Sequence, residues 1–356
     1  MCKMLKDYRK LAYDFEVFSK AGWWMLTVKD IDSGERTVIV DDKKKLKDFY
    51  KQHKDDIWVG FNSREYDQYI FKAILMGRDP CEVNDKIIKE GKRGSRILKG
   101  HEKYQFYNFD LYDKLHSLKW LEASMGSMIK ESDVDFDIDR SLTEEEIKET
   151  IKYCNHDVDQ TIEVFNYKKK DFDSQLLLID YFNLSMDNFN KTKAQLSATI
   201  LQGVRQERID DEFDFKLPDH VLKLDKYKFV YDWYMNPRNK TYKKKDNEIN
   251  CLDIVIQGVE VRFAYGGCHG AIPNYHYTLE QGGILFHFDV ASLYPSLMIV
   301  YELLSRNVLE PSKFKEMKDT RLKLKKAKDK RQEALKIVIS NMVSIKKPFE
   351  RVLPAV

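Results

Sequence analysis

The sequence lacks the features that mark several classes of protein. Its five cysteines form no C-x-x-C pair, which argues against a disulfide scaffold or a cysteine-based zinc site and fits reduced thiols in a cytosol. No run of eighteen apolar residues occurs, so we expect no membrane span. The N-terminal segment has no apolar h-region, so we expect no secretory signal. Together these absences predict a cytoplasmic protein.

The composition indicates a globular chain of more than one domain. Hydrophobic residues make up 43% and charged residues 33% of the 356 residues, which excludes a disordered or fibrous chain. This length predicts two or three domains, each with its own core. Residues 313–347 hold thirteen lysines and arginines against four acidic residues, although the net charge of the whole chain is only +3. This basic segment predicts either a phosphate-facing helix or an ordinary solvated helix face.

The first third of the chain has the pattern of an α/β fold. Residues 23–31 and 36–40 flank a turn signal and predict a β-hairpin. The other predicted elements are strands over 11–18 and 57–61 and helices over 46–53 and 66–77. We therefore expect a mixed sheet with flanking helices.

The rest of the chain predicts further elements of both kinds. Residues 104–115 predict a strand running into a helix, and Thr143 with Glu146 forms a capping box at the start of a long helix. Later segments predict a mostly helical stretch, then strands, then a basic helix over 321–339. The predicted domains are 1–170, 171–250, 251–310 and 311–356.

Two carboxylates near the N-terminus form a candidate metal site. Asp14 and Glu16 are separated by one residue on a predicted strand, so their side chains should face the same side of the sheet. Paired carboxylates on one rigid face suit a divalent cation. Alone, this D-x-E pattern is weak evidence.

Two further patterns contain polar residues at defined spacings. Asn62, Tyr66 and Asp67 form N-x-x-x-Y-D before a predicted helix, where Asp67 is either a ligand or a first-turn acid that favours the helix dipole. Tyr153 and Asp157 lie four residues apart, so they share one face of the long helix. His156 is interpreted as a structural or surface residue.

The three patterns in this order resemble the three exonuclease motifs of the proofreading domain of family B DNA polymerases. That domain has a ribonuclease H-like fold, and the Tyr-x-x-x-Asp spacing is similar to the tyrosine subclass of its superfamily. The histidine subclass would have a histidine where this chain has Lys152.

The resemblance implies a two-metal nuclease. Asp14, Glu16, Asp67 and Asp157 would hold two Mg²⁺ or Mn²⁺ ions, and Tyr153 would orient the attacking water. Asn62 and Tyr66 match family positions near a single-stranded 3′ end, although core packing is an equally good interpretation of Tyr66.

The most specific pattern lies in the second half of the chain. The segment from Asp289 to Ser296, D-V-A-S-L-Y-P-S, resembles motif A of family B polymerases, preceded by a predicted buried strand over 284–291. The resemblance implies that Asp289 binds the polymerase metal. It also implies nucleotide-binding roles for residues of the same segment, namely Ser292, Leu293 and Tyr294.

Two weaker matches flank motif A. Tyr265, Gly266 and Gly267 resemble the Y-x-G-G region that touches the template strand, although the tyrosine is displaced by one position and a Gly-rich β-turn is equally plausible. Lys336 resembles the lysine that begins motif B and faces the incoming triphosphate, but the motif fails at Ser340.

The resemblance therefore covers only the N-terminal part of such an enzyme: an exonuclease domain, a helical connector and an incomplete α+β palm. Since a single carboxylate cannot anchor a two-metal polymerase site, we expect no nucleotide incorporation by this chain alone. The leading hypothesis is a 3′→5′ exonuclease acting on the single-stranded 3′ end of DNA. The alternatives are an idle DNA-binding remnant, one subunit of a split polymerase that joins a missing C-terminal fragment, and a free-standing ribonuclease. An AT-rich phage or mobile element in a bacterial host is a weak inference from composition.

Overall fold

The computed structural model of the chain describes residues 8–112, 115–204, 213, 225–244, 246–265, 267–278, 280, 282–284, 286–302, 304 and 308–344. The chain divides into two compact units, Met1–Thr192 and Lys193–Val356.

A five-stranded mixed sheet forms the centre of the first unit. The strand order is β3-β2-β1-β4-β5; β1 pairs antiparallel with β2 and parallel with β4, and β5 extends the parallel part. The predicted α/β fold and the predicted hairpin are confirmed. The strands are β1 Lys10–Phe18, β2 Trp23–Asp30, β3 Arg36–Val40, β4 Ile57–Gly60 and β5 Tyr107–Asp110.

Seven α-helices lie beside this sheet among the described residues of the first unit. The predicted capping box is present, because Thr143 accepts a hydrogen bond from the backbone of Glu146 while the Glu146 carboxylate accepts one from Thr143. The helices are α1 Lys43–His53, α2 Asp67–Leu75, α3 Pro80–Ile88, α4 Gly94–Ile97, α5 Leu118–Ser124, α6 Glu144–Tyr167 and α7 Lys169–Tyr181.

Apolar side chains cover both faces of the central strands. On one face, Tyr13 and Trp58 pack edge to face with ring centroids 5.3 Å apart, and on the other, Ile57 and Val59 pack in a second cluster with Phe109. Because β1 and β4 are buried on both faces, a carboxylate on either strand is held in a place of low polarity.

Helix α6 is fixed against the hairpin by charge as well as by packing. Asp159 on α6 accepts hydrogen bonds from Lys29 Nζ at 2.7 Å and from Arg36 Nη2 at 2.6 Å. Thr27 on β2 donates to Asn155 on the same helix at 3.2 Å. These contacts fix which face of α6 is turned toward β1.

Gly60, the last residue of β4, leaves no room for a side chain. A Cβ there would lie 2.5 Å from Ser63 Cβ and 3.2 Å from the Tyr13 ring. Ser63 is fully buried and bonded to Asn108, so it cannot give way.

We expect Gly60→Ala to lower the free energy of unfolding by about 1–3 kcal/mol, as measured by urea denaturation. The matched control is Gly203→Ala, where a Cβ would meet only ordinary contacts of 3.4–3.5 Å. An equal loss in both variants would contradict this account.

The second unit contains a small antiparallel sheet and several helices. The strands predicted from residue 251 onward are present, with strand order β6-β7-β8. The elements are α8 Lys193–Ile200, α9 Lys228–Met235, β6 Cys251–Ile256, β7 Val259–Ala264, β8 Gly267–Ala271, α10 Leu293–Val300, α11 Pro311–Lys326 and α12 Gln332–Ser344.

The predicted buried strand over 284–291 is wrong. Residues 286–290 have no regular secondary structure, and Phe286 and Phe288 are 68% and 86% exposed. An apolar run becomes a strand only when a neighbouring strand satisfies its backbone groups, and no described strand pairs with this one. The segment instead leads directly into α10.

The predicted single basic helix over 321–339 is also wrong. The structure contains two helices, α11 and α12, with a break in between. Lys328 has a left-handed φ of 56°, and the side chain of Asp329 accepts a hydrogen bond from the backbone of Arg331 at 2.9 Å. Asp side chains of this kind favour turns over helix interiors, which accounts for the break.

Candidate metal centre

The centre begins with two carboxylates on β1, as the alternation of the strand predicts. Asp14 and Glu16 point to the same side of the sheet, where each brings a ligand atom within 4.8 Å of the other and of the Cys154 thiol. Glu16 is buried and Asp14 is partly buried. Cys154 lies on α6, and its thiol donates a hydrogen bond to Asp14 Oδ2 at 3.7 Å.

Asp67 joins these carboxylates because of the parallel pairing of β1 with β4. Residue Ala12 lies opposite Val59, so the chain that follows β4 emerges beside the site on β1. Asp67 is 2% exposed at the first turn of α2, and its carboxylate accepts a hydrogen bond from the backbone N–H of Phe15 at 3.2 Å. The Asp67 carboxylate therefore contacts β1 and also lies at the N-terminus of α2.

Asp157 and Tyr153 approach from α6 on a shared helix face, at the predicted spacing. Lys119, on α5, contacts both. Its ammonium donates to Asp157 Oδ1 at 2.7 Å and lies 5.0 Å from the centroid of the Tyr153 ring. The sequence analysis did not identify Lys119.

Burial and nearby negative charges raise the pKa of three of the acids, Asp14, Glu16 and Asp67. Burial raises the pKa of Asp14, and the charges of Asp67, Glu16 and Asp157 raise it further. Burial followed by the charges of Asp157 and Asp67 raises the pKa of Glu16. Burial raises the pKa of Asp67 to about 7, against the lowering effect of the Phe15 hydrogen bond. Such an arrangement holds protons near neutral pH unless a cation neutralises it.

The same environment keeps the Tyr153 hydroxyl protonated. Burial raises its pKa, and the nearby carboxylates Asp157 and Glu16 raise it further. Lys119 is affected in the opposite sense: burial lowers its pKa, but the hydrogen bond to Asp157 and the surrounding negative charges outweigh this and raise it above the ordinary value. Tyr153 is thus a hydrogen-bond donor and Lys119 a fixed positive charge.

A second group of ligand atoms lies beside the first. Glu122, His156 and Asp157 bring one ligand atom each within 4.8 Å of one another. His156 is not a surface residue, because its side chain is 13% exposed and packs with its Nε2 3.1 Å from Glu122 Oε1.

The loop that carries Asn62 is held by a carboxylate that the sequence analysis did not single out. Asn62 has a left-handed φ of 59°. Asp110, at the end of β5, accepts backbone hydrogen bonds from Arg64 at 3.0 Å and Tyr112 at 2.9 Å, and also from Asn62. Tyr66 is partly buried, and its hydroxyl donates to Asn84 Oδ1 at 2.7 Å.

The residues that were missed fall into two groups. Asp110 is the last residue of β5, which pairs in parallel with β4. Because polar residues at the carboxyl ends of parallel strands meet at one edge of the sheet, its position in the sequence could have predicted it. Cys154, Lys119 and Glu122 have no comparable sequence signal, because only the packing of α5 and α6 brings them to the site.

In the second unit, Tyr265 is a core residue. Its hydroxyl donates to the Tyr234 carbonyl at 3.0 Å, and the Tyr234 hydroxyl donates to the Ala264 carbonyl at 3.1 Å. Strand β7 ends at Ala264 and β8 begins at Gly267, which fits the alternative interpretation of this segment as a turn. Gly266 lies outside the described residues.

The residues of the segment that resembles motif A lie just before α10 and in its first turn. Asp289 is exposed, and neither metal-type cluster found among the described residues includes it. Ser292 has a left-handed φ of 56° and accepts a hydrogen bond from Arg321 Nη1 at 2.7 Å. Leu293 and Tyr294 are exposed.

Lys336, the candidate motif B residue, lies on α12 with an exposed side chain. Its Nζ is 3.9 Å from Glu333 Oε2, one turn earlier on the same helix. This is a surface ion pair, which leaves the lysine accessible to solvent.

Comparisons with known proteins do not assign the chain to a family. No protein-family model matches the chain, and no curated protein matches it. Over the described part of the chain, none of the helices is both long and apolar enough to cross a membrane.

Proposed function

We propose that the first unit is a metal-dependent 3′→5′ exonuclease on a ribonuclease H-like fold, acting on the 3′ ends of single-stranded or frayed DNA. The observation that carries the proposal is that carboxylates from three elements meet at one place: Asp14 and Glu16 on β1, Asp67 on α2, which is bonded to the backbone of β1, and Asp157 on α6, whose charge acts on both acids of β1. Placing four acids together, three of them buried, has an energetic cost, and a functional site is a common reason for it.

The donor set fits two Mg²⁺ or Mn²⁺ ions. The four residues offer carboxylate oxygens, the ligands that these cations prefer. Binding of cations relieves the repulsion that raises the pKa of Asp14 and Glu16. When bound, such ions supply an activated water and stabilise the leaving 3′ oxygen of an in-line displacement.

Two further residues of the chain have supporting roles. Tyr153, held protonated beside Asp157, donates a hydrogen bond that orients the attacking water. Lys119 holds the Asp157 carboxylate in position through its hydrogen bond. Asn62 and the ring of Tyr66 are proposed to contact the terminal nucleotides, with Tyr66 oriented by Asn84.

Tyr153→Phe tests the water-orienting role. The variant keeps the ring over which Lys119 lies but loses the hydroxyl donor. We expect the rate of nucleotide release to fall by about 10²–10³-fold with little change in Mn²⁺ affinity, since a positioned hydrogen-bond donor contributes on this scale. The rate is measured by single-turnover degradation of a 5′-labelled oligonucleotide. A fall in metal affinity that matches the fall in rate would show that Tyr153 acts through the ligands instead.

Polarity and substrate class test the proposal as a whole. The purified chain is incubated with Mg²⁺ and matched single-stranded DNA and RNA oligonucleotides, labelled in parallel at the 5′ end and at the 3′ end. We expect a descending ladder from the 5′-labelled DNA and immediate release of labelled mononucleotide from the 3′-labelled DNA. Faster degradation of RNA than of DNA would favour the ribonuclease alternative.

A further inference from the structure

Glu122 is a buried carboxylate for which no well-aligned hydrogen-bond donor lies among the described residues, although Lys119 and His156 are close to it. It lies on α5 with a side chain that is 0% exposed, and neither of its oxygens has a hydrogen-bond partner within the part of the chain that the structure describes. A buried carboxylate in this state is costly unless something else binds it. The proposed nuclease chemistry makes no use of it.

The surroundings of Glu122 supply two more ligands. His156 Nε2 lies 3.1 Å from Glu122 Oε1, yet neither atom makes a hydrogen bond of acceptable geometry among the described residues. Asp157 completes the group, and the three ligand atoms all lie within 4.8 Å of one another. Two carboxylates and one imidazole thus converge from α5 and α6.

We propose that Glu122, His156 and Asp157 form a Zn²⁺ site next to the carboxylate centre and share Asp157 with it. An imidazole with carboxylates is a donor set that suits Zn²⁺, whereas Mg²⁺ prefers oxygen ligands alone. Three protein ligands leave a fourth tetrahedral position for water. Helix α6 carries two of the ligands at adjacent positions, and α5 carries the third.

Lys119 competes with a cation at this site. Its ammonium lies 2.7 Å from Asp157 Oδ1 and 3.6 Å from Glu122 Oε2, so it neutralises part of the cluster when no ion is bound. The Lys119 side chain is 23% exposed, which gives the ammonium a route to solvent. Removing this positive charge should therefore strengthen Zn²⁺ binding. If the only role of Glu122, His156 and Asp157 were to hold Lys119, its removal would not increase their affinity for Zn²⁺.

The consequence for catalysis rests on the proposed nuclease function. Zn²⁺ at this site draws Asp157 away from the carboxylate centre. Micromolar Zn²⁺ should therefore inhibit degradation of DNA even when Mg²⁺ is in excess. The binding itself does not depend on the nuclease proposal, so the two can fail separately.

The test measures binding of Co²⁺, a spectroscopic substitute for Zn²⁺, to the full tag-free chain. The background is the Asp14→Ala/Glu16→Ala variant, which removes the neighbouring ligands and leaves Glu122, His156 and Asp157 in place. We expect a visible absorption typical of low-coordinate Co²⁺ that one equivalent of Zn²⁺ removes. Adding His156→Ala, or separately Glu122→Gln, should weaken Zn²⁺ binding about tenfold or more, and adding Lys119→Met should tighten it.

The matched control is His101→Ala, which removes a histidine that faces Glu102 in a different part of the first unit. It should leave Zn²⁺ affinity unchanged. Circular dichroism identifies any variant that fails to fold. The conservative Glu122→Gln and the partly exposed Lys119→Met provide independent evidence if His156→Ala unfolds. Absence of Zn²⁺ binding, or binding that none of the three substitutions changes, would overturn the proposal. If Zn²⁺ binds as expected but no variant or wild-type chain degrades DNA, only the nuclease function fails.

Discussion

The Asp14→Ala/Glu16→Ala variant is expected to lose 3′→5′ exonuclease activity by a factor on the order of 10³ or more, because residues that act as one catalytic unit have effects of this size. Both carboxylates are close to the Cys154 thiol and coupled to Asp67 and Asp157. Their removal leaves too few oxygen ligands for two divalent cations. The rate is measured under single-turnover conditions at saturating Mg²⁺.

The control for this variant is Glu149→Gln. Glu149 lies on α6 but pairs with Lys152 on the exposed side of the helix, so its loss removes a carboxylate without touching the centre. We expect the control to keep the activity of the unmutated chain. Equal activity of the double variant and the unmutated chain, with both folded, would show that the carboxylates do not perform the reaction.

Divalent cations are expected to stabilise the first unit, and more strongly at pH 8 than at pH 6. The raised pKa values of Asp14, Glu16 and Asp67 mean that the folded, metal-free chain binds protons that the unfolded chain releases near pH 4. This contribution to stability is fully present below about pH 4 and is lost as the pH rises through the folded pKa, about 7 for Asp67.

Metal binding reverses this pH dependence. A cation competes with these protons, so its affinity rises across the same window and it restores stability where the metal-free chain is weakest. Saturating Mn²⁺ at about a hundred times its Kd contributes roughly 2.7 kcal/mol. For a domain of this size we therefore expect Tm to rise by about 5–10 °C at pH 8, with a clearly smaller rise at pH 6.

Differential scanning calorimetry with Mn²⁺ or EDTA at the two pH values measures this effect. The same measurement on Asp14→Asn provides the control, because a neutral amide removes one repelling charge. We expect that variant to be more stable than the unmutated chain in EDTA at pH 8 and to gain less from Mn²⁺. A Mn²⁺ effect that is equal at both pH values would contradict the coupling of protons and metal.

The parts of the molecule that the sequence predicted depend on local signals. The alternation that places Asp14 and Glu16 on one face is a property of any strand, and the spacing of Tyr153 and Asp157 is a property of any helix. The capping box at Thr143 is equally local, since both of its partners lie within four residues.

The parts that it did not predict depend on long-range contacts. Lys119 is 38 residues from Asp157, and only the packing of α5 on α6 joins them. The contact of His156 with Glu122 was not predicted, because Glu122 belongs to a helix that the sequence analysis did not recognise. The apolar run around Phe288 was predicted as a strand, but strand formation depends on a neighbour that local composition cannot reveal.

The most direct test of the central claim is the rate of shortening of 5′-labelled single-stranded DNA as a function of free Mn²⁺ concentration. We expect no shortening in EDTA and a rate that rises at low Mn²⁺ with a power near two, because two ions must bind before the reaction proceeds. The product should be a ladder that descends from the 3′ end. Shortening that persists in EDTA, or none by the folded chain at saturating Mn²⁺, would contradict the claim that these carboxylates form a two-metal exonuclease centre.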